Sequence, residues 1–95
     1  MAISLTLQYD TLTVDDYAAA GRALDFPGRW PEGLLHHDSA VIDGKLRVYE
    51  VWNCRADFDR YAAEVMAPVI PGALGDRAEA PAITERELHT CYLRP

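Results

Sequence analysis

Basic residues are in short supply in this chain of 95 residues: nine lysines and arginines stand against fifteen aspartates and glutamates, a formal charge of −6. That balance excludes nucleic acid or an anionic membrane as the main partner, because holding a polyanion needs a basic surface. Long apolar runs are missing as well, and none approaches the roughly 20 residues of a bilayer-spanning helix. The first ten residues, MAISLTLQYD, lack a basic stretch followed by a long apolar one. No signal peptide is therefore expected, and the chain is placed in the cytoplasm. There are only two cysteines, Cys54 and Cys91, at a spacing that fits no CxxC or zinc pattern. In a cytoplasmic chain they are expected to be free thiols. His36, His37, Asp38 and His89 offer ligand atom types without a recognised metal-binding spacing, so neither a metal nor a cofactor is expected. Internal repeats and low-complexity segments are absent too. Residues 1–95 are read as a single small domain, whose thin core would gain from a partner subunit.

What is present is a clear alternation of periods. Ile3, Leu5, Leu7 and Tyr9 alternate with polar residues and predict a half-buried strand. Thr13 is a good helix N-cap, Asp16 stands at the capping-box position, and Leu12 with Tyr17 can form a hydrophobic staple. The helix that follows should stop before Pro27-Gly28. FPGRWPEG, Phe26 to Gly33, is a loop dense in proline and glycine. Strands are predicted over 34–42 and 45–53, joined by Asp43-Gly44, whose two residues tolerate the positive φ of a tight hairpin turn. A second helix starts near Arg55, with Phe58, Tyr61, Ala62, Val65 and Met66 on one side. Pro68 should kink or interrupt it and Pro71-Gly72 should end it. Residues 74–81 read as a mobile connection and residues 83–93 as the last strand.

The order is βαββαβ, an α+β ferredoxin-like arrangement: a four-stranded antiparallel sheet with both helices on one face. The other sheet face is then open. If Trp52 and Val48 lie on it, they form an apolar patch that a monomer rarely tolerates. A second copy of the chain would cover it, giving a homodimeric α+β barrel with a cavity between sheet and sheet or between sheet and helices.

Counting back from the hairpin pairs His37 with Glu50, Leu35 with Trp52, Ser39 with Val48 and Val41 with Leu46. One face then carries an acid–imidazole pair among apolar neighbours, while His36, Asp38, Arg47, Tyr49 and Val51 face the other way. A carboxylate can fix the imidazole tautomer and raise its basicity, which makes His37 and Glu50 candidates for acid–base catalysis. The alternatives are a cross-strand or surface pair that only stabilises the sheet, or a one-residue bulge in the hairpin that breaks the counted pairing. His89 shares its strand parity with Glu85 and Glu87 and is a candidate third member, or an exposed edge residue. Trp52, Leu35 and Val48 would wall a pocket for a flat, aromatic ligand, with Tyr49 as a possible proton partner. Trp30 either closes over that pocket or anchors its loop. Tyr17, Phe58, Tyr61 and Met66 are assigned to the core.

The stretch GLLHHDSAVIDGKLRVYEVWNCRADFDRYAAEVMAPVI, Gly33 to Ile70, resembles small proteins of the dimeric α/β-barrel superfamily, which includes antibiotic biosynthesis monooxygenases and related polyketide-tailoring proteins. The resemblance extends more loosely to ELHTCYL. Glu50-Val51-Trp52 and Arg55-Ala56-Asp57-Phe58 carry it, and His37 and His89 match positions that often hold histidine there. Cys54 departs from it, standing where a capping serine is usual. The resemblance implies the barrel fold and a homodimer. It also implies a cofactor-independent enzyme, of monooxygenase or cyclase type, acting on an aromatic or polyketide-like small molecule. A non-catalytic dimeric ligand-binding or accessory protein is the alternative, and heme binding through one histidine is a third reading.

Overall fold

The computed structural model describes residues 1–92. Strand β1 (Ile3–Gln8) leads to helix α1 (Val14–Leu24), then to the hairpin of β2 (Leu34–Ile42) and β3 (Lys45–Trp52). Helix α2 (Arg55–Tyr61) follows, runs through a π turn (Ala62–Met66) into α3 (Ala67–Leu74), and a short 3₁₀ turn (Gly75–Arg77) precedes β4 (Ala82–Glu87). The strands form one antiparallel sheet in the order β2-β3-β1-β4, with the helices on one face. This is the expected ferredoxin-like arrangement.

Local chemistry accounts for the element ends. The capping box predicted for α1 forms in full: Thr13 Oγ1 accepts from the Asp16 amide at 3.0 Å, and Asp16 Oδ2 accepts from the Thr13 amide at 3.0 Å. Such a cap is worth about 1 kcal/mol. Asp43 and Gly44 take φ of 54° and 77°, as the tight turn requires, and Ile42 pairs with Lys45. Cys54 caps α2 without a side-chain hydrogen bond, consistent with the weak acceptor character of a thiol.

The second helical segment is interrupted near Pro68 as expected but ends later than expected. Pro68 has no amide hydrogen, and its ring crowds the carbonyl four residues earlier. The chain widens into the π turn just before it, so the segment is interrupted without breaking. Pro71-Gly72 does not end the helix. Pro71 lies inside α3, which continues to Leu74 and stops at Gly75, φ 54°.

Two further expectations are corrected. The connection after α3 is tied down at several points. Glu79 accepts from the amides of Asp10, Thr11 and Leu12, and Arg77 donates to Asp16 and to the Thr11 carbonyl. The last strand is shorter than 83–93: it ends at Glu87, and Leu93 lies outside the described residues.

The open face is also not the one anticipated. Trp52 and Val48 sit under the helices, 1% and 3% exposed, in a core with Ile3, Leu5, Leu7, Leu34, Leu46 and Phe58. Full burial of an aliphatic side chain in such a core stabilises by about 1.5–3 kcal/mol. The face away from the helices carries Thr6, Gln8, Arg47 and Tyr49, and the register places Asp38 and Thr84 beside them; Ser4 and Val51 on the same face are buried, and Leu88 and Thr90 lie beside Val51. It is largely polar, so an apolar patch of Trp52 and Val48 supplies no reason for a second copy to cover it.

Candidate functional site

The hairpin register brings His37 opposite Glu50, as the count from Asp43-Gly44 predicts. The pair points at the helices. His37 Nδ1 lies 2.8 Å from Glu50 Oε2, with both side chains nearly buried. Glu50 holds a second bond, since Trp52 Nε1 donates to its Oε1 at 3.0 Å. The other nitrogen of the imidazole is engaged as well: Tyr17 Oη lies 2.5 Å from His37 Nε2. Four side chains thus form one line, Trp52–Glu50–His37–Tyr17.

The direction of the protons follows from what each group can do. An indole nitrogen can only donate. An ionised carboxylate can only accept, so His37 donates from Nδ1. The remaining lone pair on Nε2 then accepts the Tyr17 hydroxyl proton. Burial pushes the Tyr17 hydroxyl above its ordinary value; Ser39 opposes that push, and the Glu50 and Asp38 carboxylates add to it. Tyr17 therefore stays a protonated phenol at neutral pH, as the line requires. Phe26 packs against the imidazole with ring centroids 4.6 Å apart and shields it on one side.

This line opens into a cavity of about 810 Å³ between the sheet and the helices. Its floor runs from His37 and Glu50 across Leu7 and Val48 to Tyr9. Ala18 and Gly21 of α1 and Ala62 and Met66 of the π turn line it from the helix side, and Phe26 and Pro31 of the loop complete it. The size and apolar lining suit a multi-ring small molecule.

The candidate residues divide clearly. His37, Glu50 and Val48 border the cavity. Trp52 does not: it is packed beneath Phe58 and Tyr61 and acts on the site only through Glu50. Leu35 is displaced by a bulge between Leu34 and His36, which gives Leu34 the place opposite Trp52 and turns Leu35 outward. Tyr49 is on the other sheet face and 39% exposed. Trp30 is 49% exposed; its Nε1 donates to the Leu34 carbonyl at 2.7 Å and its ring stacks on Phe26, so it anchors the loop. His89 lies beyond the end of β4, exposed, and is not brought to His37. Cys54 and Cys91 are unpaired.

The residue that sequence reasoning missed is Tyr17, assigned to the core by its helical spacing. The available signal was its type: a tyrosine on the buried stripe of a capped helix carries a hydroxyl that needs a partner.

No protein-family model and no curated protein matches the chain. Solved structures do. Rv0793 from Mycobacterium tuberculosis superposes with a TM-score of 0.65 at 17% identity, over 95% of this chain and 97% of its own. A dimeric protein of unknown function and ferredoxin-like fold from Bacteroides fragilis gives 0.59 at 13%, over 92% and 95%. The monooxygenase from the gene ActVA-Orf6 of Streptomyces coelicolor, in complex with the ligand nanaomycin D, gives 0.58 at 13%, over 99% and 91%. Antibiotic biosynthesis monooxygenase-like proteins from Deinococcus radiodurans and Nitrosomonas europaea, at 17% and 14% identity with TM-scores of 0.62 and 0.63, match as well, so the chain shares the fold of a set that includes them.

Proposed function

We propose that the protein is a cofactor-independent tailoring enzyme for aromatic or polyketide-like small molecules, working by proton abstraction in the cavity between sheet and helices. The observation that carries this reading is the line of hydrogen bonds ending at Tyr17 beside an apolar cavity. A substrate proton passes to the Tyr17 oxygen as the Tyr17 proton passes to His37 Nε2. The substrate C–H or O–H bond breaks, its electron pair stays on the substrate, and the imidazolium forms against the Glu50 carboxylate. The resulting anion has two balanced outcomes. It can add to a carbonyl of the same molecule, with the proton returned to the new alkoxide. It can also react with dioxygen, one oxygen atom entering the substrate and the other leaving as water. A neighbour of the same fold is a monooxygenase holding a small-molecule ligand, which supports the second. The reading takes the protein as a cytoplasmic homodimer, supported by a dimeric neighbour of the same fold.

One observation favours a non-catalytic ligand-binding protein: both nitrogens of His37 are already engaged, by Tyr17 and Glu50, so the imidazole has no free nitrogen for a ligand. Anthrone separates the two readings. Its methylene protons exchange in D2O under nitrogen if the relay works, and it yields anthraquinone and water in air if dioxygen is used. Binding with exchange no faster than in buffer supports the binding protein and rejects the enzyme.

A further inference from the structure

Tyr9 is a nine-tenths buried phenol that no part of the proton relay uses. It follows β1 directly and keeps its place in the ladder, its amide donating to the Leu46 carbonyl at 3.2 Å. The side chain is 8% exposed, borders the cavity, and its hydroxyl has no hydrogen-bond partner among the described residues. Among those residues no fully buried side-chain nitrogen or oxygen lacks a partner. The Tyr9 hydroxyl is therefore not sealed in the core; it opens into the cavity. Burial, followed by the carboxylates of Glu50 and Glu79 and the Tyr17 hydroxyl, pushes its pKa up to about 12, so it is a neutral donor at physiological pH.

Its position is as informative as its burial. Glu50 and His37 lie in register with Leu5 of β1, and Tyr9 is four residues further along. At about 3.3 Å per residue, the two backbone positions are roughly 13 Å apart. Between them the floor is apolar, formed by Leu7 and Val48. The floor thus has a polar group on either side of an apolar stretch, with Glu79 lining the cavity too and close enough to Tyr9 to act on its hydroxyl. A ligand's oxygen that displaced water from Tyr9 without replacing its hydrogen bond would lose affinity.

We propose that the Tyr9 hydroxyl is a second ligand-binding group, which holds an oxygen at the end of the substrate remote from the atom that gives up its proton to Tyr17. This rests on the cavity being the substrate site. The substrate class it names is an elongated, neutral, fused-ring molecule with oxygen functions at both ends. Tyr9 orients such a molecule along the floor and so decides which carbon or hydroxyl is presented to the relay.

The test uses two probes with the same ring area: anthraflavic acid, a three-ring quinone with a hydroxyl on each terminal ring, and its monohydroxy counterpart. Affinities are measured by calorimetry in mildly acidic solution, where the phenols stay protonated. Wild type should prefer anthraflavic acid by roughly 3- to 10-fold, the scale of one net hydrogen bond, and Tyr9→Phe should abolish the preference. A preference that survives in Tyr9→Phe, or its absence in wild type, overturns the assignment while leaving the cavity as the site. Failure of wild type to bind either probe overturns the cavity reading and this one together. A second readout needs no variant: with ring-labelled tyrosine, the Tyr9 Cζ resonance should move further with anthraflavic acid than with the monohydroxy probe, whose rings alone reach it, and equal shifts overturn the assignment.

Discussion

The hydroxyl of Tyr17, on α1, lies 2.5 Å from Nε2 of His37, on β2. That contact joins a helix to the sheet and places a phenol beside the imidazole at the edge of the cavity. Removing the hydroxyl while keeping the ring, as in Tyr17→Phe, should leave the fold intact and cost about 1 kcal/mol of stability. The rate of anthrone exchange should fall roughly 100-fold or more, the scale of an acid–base contribution. Exchange at the wild-type rate in the folded variant would remove Tyr17 from the relay.

The bulge beside Leu35 makes a prediction opposite to the unbroken register. Leu34 is buried against Trp52, whereas Leu35 faces outward. Leu34→Ala should destabilise by about 2–5 kcal/mol and Leu35→Ala by about 0.5 kcal/mol. Urea unfolding of the two variants checks this; a larger loss for Leu35→Ala would restore the unbroken pairing.

Cys54 stands at a helix N-cap and makes no capping bond. Cys54→Ser supplies a competent acceptor at nearly the same volume. It should raise stability by about 1 kcal/mol, visible as a higher melting temperature. A lowered melting temperature would show that the thiol's packing outweighs the missing cap.

Glu79 fastens the segment after α3 to the loop before α1. Amide donation by Asp10 and Thr11 is the main cause that brings its pKa from 4.5 down to about 2. A carboxylate whose folded pKa is depressed stabilises fully above its unfolded value and loses that contribution as pH falls toward its folded one. The fastening should therefore weaken between about pH 4.5 and pH 2. Asp16 behaves alike, lowered from 3.8 to about 2 chiefly by its bond from Arg77. Protection of the Thr11 and Leu12 amides from hydrogen exchange, taken relative to the unstructured rate at each pH, should fall across that window, and Glu79→Gln should show the lowered protection at neutral pH as well. An unchanged profile in Glu79→Gln would mean that the segment is held by something else.

Much of this architecture is legible from short-range chemistry. Thr13 and Asp16 announce a helix start, and Asp43-Gly44 fixes a turn and hence the pairing of Ile42 with Lys45 and His37 with Glu50. Legibility fades where long-range packing decides. Alternation divides the β3 residues into two sets without saying which set the helices cover, so Trp52 reads as an open-face residue although it is buried. The bulge before His36 depends on Gly33, whose φ is 89°, and on its carbonyl accepting from the Asn53 amide. The partners of Glu79, 67 to 69 positions away, cannot be read from local sequence. Tyr17 is hidden for the same reason: only the docked helix brings its hydroxyl to His37.

In the relay every proton of the line points toward Glu50, leaving Nε2 of His37 free to accept from Tyr17. Nitrogen-15 NMR of the His37 imidazole at neutral pH tests it directly. Wild type should show a protonated Nδ1 and an unprotonated, hydrogen-bonded Nε2. Glu50→Gln should switch the tautomer, because its amide nitrogen can donate to Nδ1. A wild-type His37 that carries its proton on Nε2 would contradict the relay.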